Sequence, residues 1–333
     1  VTKRSCLFVV CEGGAARYLL PIWRSWLADP PPFSWSIILG DGAHRLLAQE
    51  DIAHSLPILA SLRRTDRDIG AVLNGVSYDL LIASAGDGYE LERAAVRIVR
   101  SGGGRTIQFV DAWYNYERRF SSGDLFPDVI AVIDDQARLE AIAEGLPPEL
   151  LVTVGHPWLE AVPRWIPGPR SQVLVLGAPI RRDYGRTLGY DEYDIWSMIV
   201  DARRRDVGSF DGLWYAPHPE QLSGGIPDIS VGEVTIGSTE PYLRRAGTVL
   251  GAFAAPMIDA YLCGARVVSV QPNASSRDMC ALSRRGMIPR ATSTEELIDA
   301  LSARCQGDVS ELNQVLVGSA SRLNNLIARE IAA

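Results

Sequence analysis

The 333-residue chain has no C-x-x-C pair. Its five cysteines, Cys6, Cys11, Cys263, Cys280 and Cys305, are widely spaced and mostly sit inside apolar runs. An odd, scattered set of this kind makes neither a disulfide framework nor a metal cluster, and it reads as reduced core thiols of a cytoplasmic protein. Also missing is any block of like charge. Lys and Arg total 33 against 40 Asp and Glu, a net charge of −7, which argues against a nucleic-acid partner. No apolar run approaches the ~20 residues that a helix needs to span a bilayer. The opening "VTKRSCLFVVCEGG" does put basic residues before an apolar stretch. That stretch is too short for a signal-peptide core and runs directly into glycines, so it reads as a first strand. No fixed-period repeat and no low-complexity tract occurs.

What is present is a rhythm. "CLFVVC" (6–11), "SWSIILG" (34–40), "YDLLIAS" (78–84), "RTIQFV" (105–110), "DVIAVI" (128–133) and "LLVTVG" (150–155) are near-continuously apolar, as parallel strands buried on both faces should be. Helical spacing fills the gaps between them, as in "ELERAAVRIVRSG" (90–102) and "DQARLEAIAEG" (135–145), the latter stopped by Gly145 and Pro147-Pro148. The stretch "PRWIPGPRSQ" (163–172) interrupts the pattern with three prolines and a glycine, and the rhythm then restarts. "VLVLG" (173–177), "GLWYA" (212–216), "EVTIG" (233–237), "TVLGA" (248–252), "RVVSV" (266–270) and "MIPRA" (287–291) are the strands expected in the second half. A capped helix is expected at "STEELIDALSARC" (293–305), and one helical stripe runs through 310–331 despite Gly318.

The expected fold is α/β, two Rossmann-like parallel-sheet domains facing a cleft. Residues 1–164 form the first domain, 165–171 the linker and 172–309 the second domain. The helix of 310–333 is long enough to cross back to the first. Ligands of open parallel sheets bind outside the carboxyl ends of the strands, so the loops after strands are where function should be sought.

In the second half, "GAFAAPMIDAYLCG" (251–264) passes from a strand into a helix within a few residues. Pro256 suits a first helical turn, and free amides near Ala254, Ala255 and Met257 make a candidate phosphate site. Tight strand-to-helix packing accounts for the same alanines. His218 in "WYAPHPEQ" (214–221) lies between two prolines that stiffen its backbone, and its ring can donate to a phosphate or a substrate oxygen. In "GSTEPY" (237–242), Ser238, Thr239 and Glu240 supply two hydroxyls and a carboxylate that either bind a nucleotide or cap the turn.

In the first half, "CEGGAARYLLPIW" (11–23) is strand, turn and helix, with Gly13 and Gly14 permitting close approach of a ligand or of another segment. The full G-x-G-x-x-G spacing is absent, so no nicotinamide or flavin cofactor is expected. Asp87 in "ASAGDGYE" and Asp111 in "FVDAWYNYERRF" each follow a strand, where a carboxylate can serve as a general base. A turn-forming role is the alternative, stronger for Asp87 between two glycines. Trp113, Tyr114 and Tyr116 either stack on a sugar or pack under the adjoining helix.

The order of these loops resembles a known family. "DVIAVIDDQARLEAIAEGLPPELLVTVGHPWLEAV" (128–162) looks like the closing segment of the first domain in UDP-N-acetylglucosamine 2-epimerases and related GT-B-fold glycosyltransferases. "YAPHPEQ" is similar to their histidine motif, and 246–270 to their phosphate-binding loop. The resemblance spans most of the chain. It implies roles for Asp87 and Asp111 as acids of the first domain, for His218, and for 251–256 as the diphosphate loop. The departures are equally specific. The epimerases' opening arginine and glutamate are replaced by "CEGGA", a later acid has no match after "ERRFSSGDLFP", and the serine of their phosphate loop is absent from "AFAA".

Epimerisation needs several acid and base groups, whereas sugar transfer needs fewer. Helix amides and a histidine hold the leaving phosphate, one carboxylate deprotonates the acceptor, and no metal is required. The resemblance therefore implies a glycosyltransferase of polysaccharide biosynthesis, with Asp111 as base, Glu12 as second candidate base and His218 at the phosphate. The donor would be UDP-, CDP- or CMP-linked and the acceptor a glycan, a glycolipid or another hydroxyl compound, compatible with peripheral membrane contact. A nucleotide-sugar epimerase or hydrolase, and a non-catalytic nucleotide-binding protein, stay open as alternatives.

Overall fold

The computed structural model of the chain describes residues 3–62, 69–73, 75–86, 90–120, 126–235, 237–303 and 308–333. The described chain divides into two compact units, Val1–Val162 with Gln314–Ala333, and Pro163–Asn313.

The first unit holds a seven-stranded sheet: β1 (Ser5–Val10), β2 (Ser34–Leu39), β3 (Ile58–Ser61), β4 (Leu80–Ser84), β5 (Arg105–Phe109), β6 (Val129–Val132) and β7 (Leu151–Thr153). Their order is β3-β2-β1-β4-β5-β6-β7, every pair parallel. Alternation along β1 separates two cores. Cys6, Phe8 and Val10 face a large cluster with the helices Gly13–Ala28 and Ser319–Ala332, while Leu7, Val9 and Cys11 face a smaller one with the helix Glu90–Ser101. Phe8 meets Trp23, Trp26 and Trp35 edge-on at centroid distances of 5.7, 5.5 and 6.2 Å, an aromatic nucleus that anchors the first helix to the sheet.

The second unit holds β8 (Gln172–Leu176), β9 (Gly212–Ala216), β10 (Glu233–Val234), β11 (Thr248–Gly251), β12 (Arg266–Val270) and β13 (Arg290–Ala291), ordered β10-β9-β8-β11-β12-β13 and again all parallel. In each sheet the chain order reverses beside the first strand, between β1 and β4 and between β8 and β11. These are the topological switch points where open α/β sheets gather ligands.

Two sequence expectations are corrected. β3 was not foreseen: "ILAS" is short, lies at the sheet edge behind a register shift at Ile37/Ile38, and buries no residue fully. The single stripe over 310–331 is two helices, Ser310–Leu316 and Ser319–Ala332, because Gly318 adopts φ 80 and ends the first. Ser319, at the start of the second, accepts the His156 N–H at 3.0 Å, which ties it to the turn after β7. No described helix is long and apolar enough to cross a membrane.

Candidate functional site

At the first switch point, β1 ends and the helix Gly13–Ala28 begins after Glu12, whose extended backbone (φ −94, ψ 149) is the helix N-cap but whose side chain makes no capping bond. The two glycines serve different neighbours. A methyl on Gly13 would stand 3.3 Å from the Gly42 carbonyl oxygen, and one on Gly14 would stand 3.1 Å from Asp111 Oδ2. Gly40 and Gly42 complete the first of these contacts, since a methyl on either would press on Cys11 at 2.7 and 3.0 Å. Two βα turns thus pack backbone against backbone, and Asp111 reaches from the end of β5 to the start of the first helix.

Asp111 keeps 14% of its side chain exposed, and its Oδ1 lies 3.4 Å from Nη1 of the buried Arg119. The same Nη1 donates to the Ala85 carbonyl at 2.5 Å, just past β4. The fold therefore brings Glu12, Gly13, Gly14 and Asp111 together. Asp87 lies outside the described residues.

Beneath Asp111, His156 is buried, and its Nδ1 accepts the Leu159 N–H at 3.3 Å. Burial lowers its pKa to about 3, partly offset by backbone hydrogen bonds that include Asp111, so the ring is neutral. Trp113 stacks near it at 6.5 Å and donates from Nε1 to Asp134 Oδ2 at 2.7 Å, while Asp134 also caps the helix Asp135–Ala143. Trp113 and Tyr116 are 3% and 0% exposed, so packing claims both; Tyr114 lies against the Arg119 guanidinium at 5.8 Å.

In the second sheet, one strand away from the switch point, the turn after β9 is held by Gln221. This buried side chain accepts the His218 N–H at 2.9 Å through Oε1 and donates to the Tyr215 hydroxyl at 3.1 Å through Nε2. Gly177, just past β8, leaves room for both: a methyl there would collide with Gln221 Oε1 and stand 2.7 Å from the Tyr215 oxygen. His218 itself is exposed, and its Nδ1 accepts the Glu220 N–H at 3.2 Å, leaving Nε2 to carry the proton of the neutral ring. Desolvation in the crowded turn lowers its pKa below the ordinary histidine value, against an opposing pull from Glu220.

The loop after β11 departs from expectation. The Met257 amide is not free: it donates to the Ala254 carbonyl at 3.0 Å, and the Ile258 amide to Ala255 at 3.0 Å, because Ala255 is already helical at φ −53, ψ −38. The Met257 side chain is buried in the core. The helix Pro256–Leu262 is seven residues long, so the donors left at its start are the amides of Ala254 and Ala255. After β10, Ser238 Oγ accepts the Glu240 N–H at 3.3 Å, Thr239 makes no capping bond, and Glu240 pairs with Arg244 at 2.7 Å along its own helix. Ser238 is a turn cap.

Sequence reasoning passed over Arg119, Gln221 and Glu92. The last could have been found. It occupies a place in the buried stripe Glu92, Ala95, Val96, Val99, where an acid is out of keeping with its neighbours.

No family model matches the chain, and no curated protein matches it in sequence. Solved structures do match. A UDP-N-acetylglucosamine 2-epimerase from Rickettsia bellii superposes with TM-score 0.68 at 11% identity, over 99% of this chain and 97% of that one. The UDP-N-acetylglucosamine 2-epimerase from Neisseria meningitidis, bound to UDP-N-acetylglucosamine, does so with TM-score 0.66 at 10% identity, over 98% and 100%. The glycosyltransferase of kitacinnamycin gives TM-score 0.65 at 12% identity, over 98% and 99%. Likeness at this level of identity defines the fold: the chain has the two-domain GT-B architecture, shared by sugar-nucleotide epimerases and glycosyltransferases alike.

Proposed function

We propose that the chain is a metal-independent glycosyltransferase of the GT-B type, moving a sugar from a nucleotide-activated donor to a hydroxyl of a glycan or lipid-linked glycan in the cytoplasm. The observation that carries the reading is the placement of Asp111 against Gly14 at the first switch point, where the missing side chain leaves the carboxylate beside an open turn. In this reading the unit of residues 1–162 takes the acceptor and the unit of 163–313 the donor. Asp111 is the base, held in direction by Arg119, and Glu12 is the second carboxylate at the same turn. His218, with Nε2–H turned outward by the bond at Nδ1, donates to the leaving phosphate, assisted by the amides of Ala254 and Ala255. The stiff frame of Pro217, Pro219 and Gln221 supports this role, since a donor fixed before the reaction costs nothing to orient during it.

A second reading, epimerisation of the nucleotide sugar, is favoured by the two epimerase structures, which align over nearly the whole chain. Incubation with UDP-N-acetylglucosamine separates the two. Transfer requires an acceptor, so sugar nucleotide that is epimerised without one refutes the first reading in favour of the second.

A further inference from the structure

Glu92 is 1% exposed, in the first turn of the helix Glu90–Ser101. Its Oε1 accepts the Cys11 N–H at 3.1 Å and the Ser84 hydroxyl, while its buried Oε2 takes no hydrogen bond. Cys11 follows β1 and Ser84 ends β4, so a single carboxyl ties the ends of the two strands between which the chain order reverses. The next residue along from Cys11 is Glu12.

We infer that Glu92 is a positioning residue for Glu12: as an uncharged acid it clamps the base of the turn that carries Glu12, and on ionising it places a second negative charge under that turn and disables it. The inference rests on the reading of Glu12 as a carboxylate of the acceptor site. An ionised carboxylate with an unbonded oxygen is costly in such a place, whereas the neutral acid is tolerated. Among the described residues, the titratable groups that face it are Glu12 and the Cys11 thiol, from the end of β1. β4 presents Ser84, β5 the neutral amide of Gln108, which donates to the Ser84 carbonyl at 3.3 Å, and the adjacent helix Ile69–Leu73 presents no titratable side chain. Arg119 Nη1 donates to the Ala85 carbonyl and to Asp111. Burial holds the Glu92 pKa up at about 8, opposed by the Ser84 hydrogen bond and reinforced by the Glu12 charge.

The test is infrared difference spectroscopy on the full chain, reading the protonated-carboxyl C=O band that wild type has and Glu92→Gln lacks. The band is expected at neutral pH, lost with a midpoint near about 8. In Glu12→Gln the midpoint falls, because the neighbouring charge is gone. In parallel, UDP release from UDP-N-acetylglucosamine is followed against pH with a glycan acceptor present, the rate without acceptor being subtracted. One unit above the midpoint only about a tenth of the chains keep Glu92 neutral, so turnover on the alkaline side should recover about tenfold in Glu92→Gln relative to wild type. A band absent at neutral pH, or a midpoint unmoved in Glu12→Gln, overturns the inference whatever the turnover does. A moved midpoint together with undiminished turnover in Glu12→Gln instead refutes Glu12 as a base, and the positioning role falls with it.

Discussion

Replacing Glu92 by Gln should change how stability depends on pH, and the structure sets both the sign and the size of that change. Gln keeps the volume of the side chain and an oxygen that can accept from Cys11 and Ser84, but it cannot ionise. In the unfolded chain a glutamate loses its proton near 4.5, and in the fold Glu92 holds it to about 8. Between those values the native chain binds one proton more than the unfolded chain. Stability therefore falls as pH rises through the window, at about 1.4 kcal/mol per unit. The contribution is fully present below the unfolded value, is lost as pH passes the folded one, and amounts to about 5 kcal/mol over the whole window. Glu92→Gln lacks this fall, so it should match wild type at acid pH and exceed it increasingly from neutral to alkaline pH. The assay is urea unfolding read by hydrogen exchange in peptides covering β1 and β4, which confines the measurement to the unit that contains Glu92. Wild type and variant are compared at the same pH, so that intrinsic exchange rates cancel. Parallel stability curves for the two proteins, from about pH 5 to about pH 9, would refute the burial argument, because they would mean that the carboxyl ionises in the fold as readily as in the open chain.

Asp111→Asn should lower turnover by about a hundredfold or more while leaving the Kd for the sugar nucleotide unchanged, measured by steady-state kinetics and calorimetry; full turnover would remove Asp111 from the mechanism. His218→Ala should weaken binding of free UDP by about tenfold, one hydrogen bond to a charged group, and an unaltered Kd would count against the contact. Gly177→Ala should destabilise the second unit by about 1–3 kcal/mol, because its methyl displaces Gln221 from both Tyr215 and the His218 N–H. An unchanged urea midpoint would show that Gln221 does not hold the turn. Gly318→Ala should cost about 1 kcal/mol, since the left-handed backbone at φ 80 strains any residue with a Cβ. Equal melting temperatures would contradict that.

The parallel sheets were legible because their strands are buried on both faces, so each appears as an unbroken apolar run with branched side chains, and the helices between them follow a different period. β1 illustrates why this works: successive residues Leu7, Phe8 and Val9 go to opposite cores, and all three must be apolar. β3 was illegible for the converse reason. At the edge, with alternate residues facing solvent, "ILAS" carries no pattern longer than a loop could show. Gly318 is visible in the sequence but carries no decisive signal there. Apolar spacing continues past it in the sequence, and the left-handed turn at Gly318, followed by the tie between Ser319 and the turn at His156, appears only in the folded chain.

The candidate site residues are legible to the extent that chemistry and position coincide. A carboxylate or histidine directly after a strand stands out, as Asp111 and His218 do. The groups that hold them do not, because their signal is geometric. Gln221 is one polar residue in a polar turn until the Tyr215 hydroxyl and the gap at Gly177 are seen around it. Arg119, 34 residues from Ala85 in sequence, reads as a surface cation until it is found 7% exposed with its guanidinium against that carbonyl and Asp111. The same geometry shows that Gly13 and Gly14 are not interchangeable. Gly13 answers to a neighbouring backbone and Gly14 to a carboxylate, so a methyl on Gly13 should act on stability and one on Gly14 on Asp111. Turnover in Gly14→Ala should therefore fall while its unfolding midpoint holds, and Gly13→Ala should do the reverse. If both variants changed the same quantity, the glycine turn would be a packing device alone, and Asp111 would have no open side toward which an acceptor hydroxyl could come.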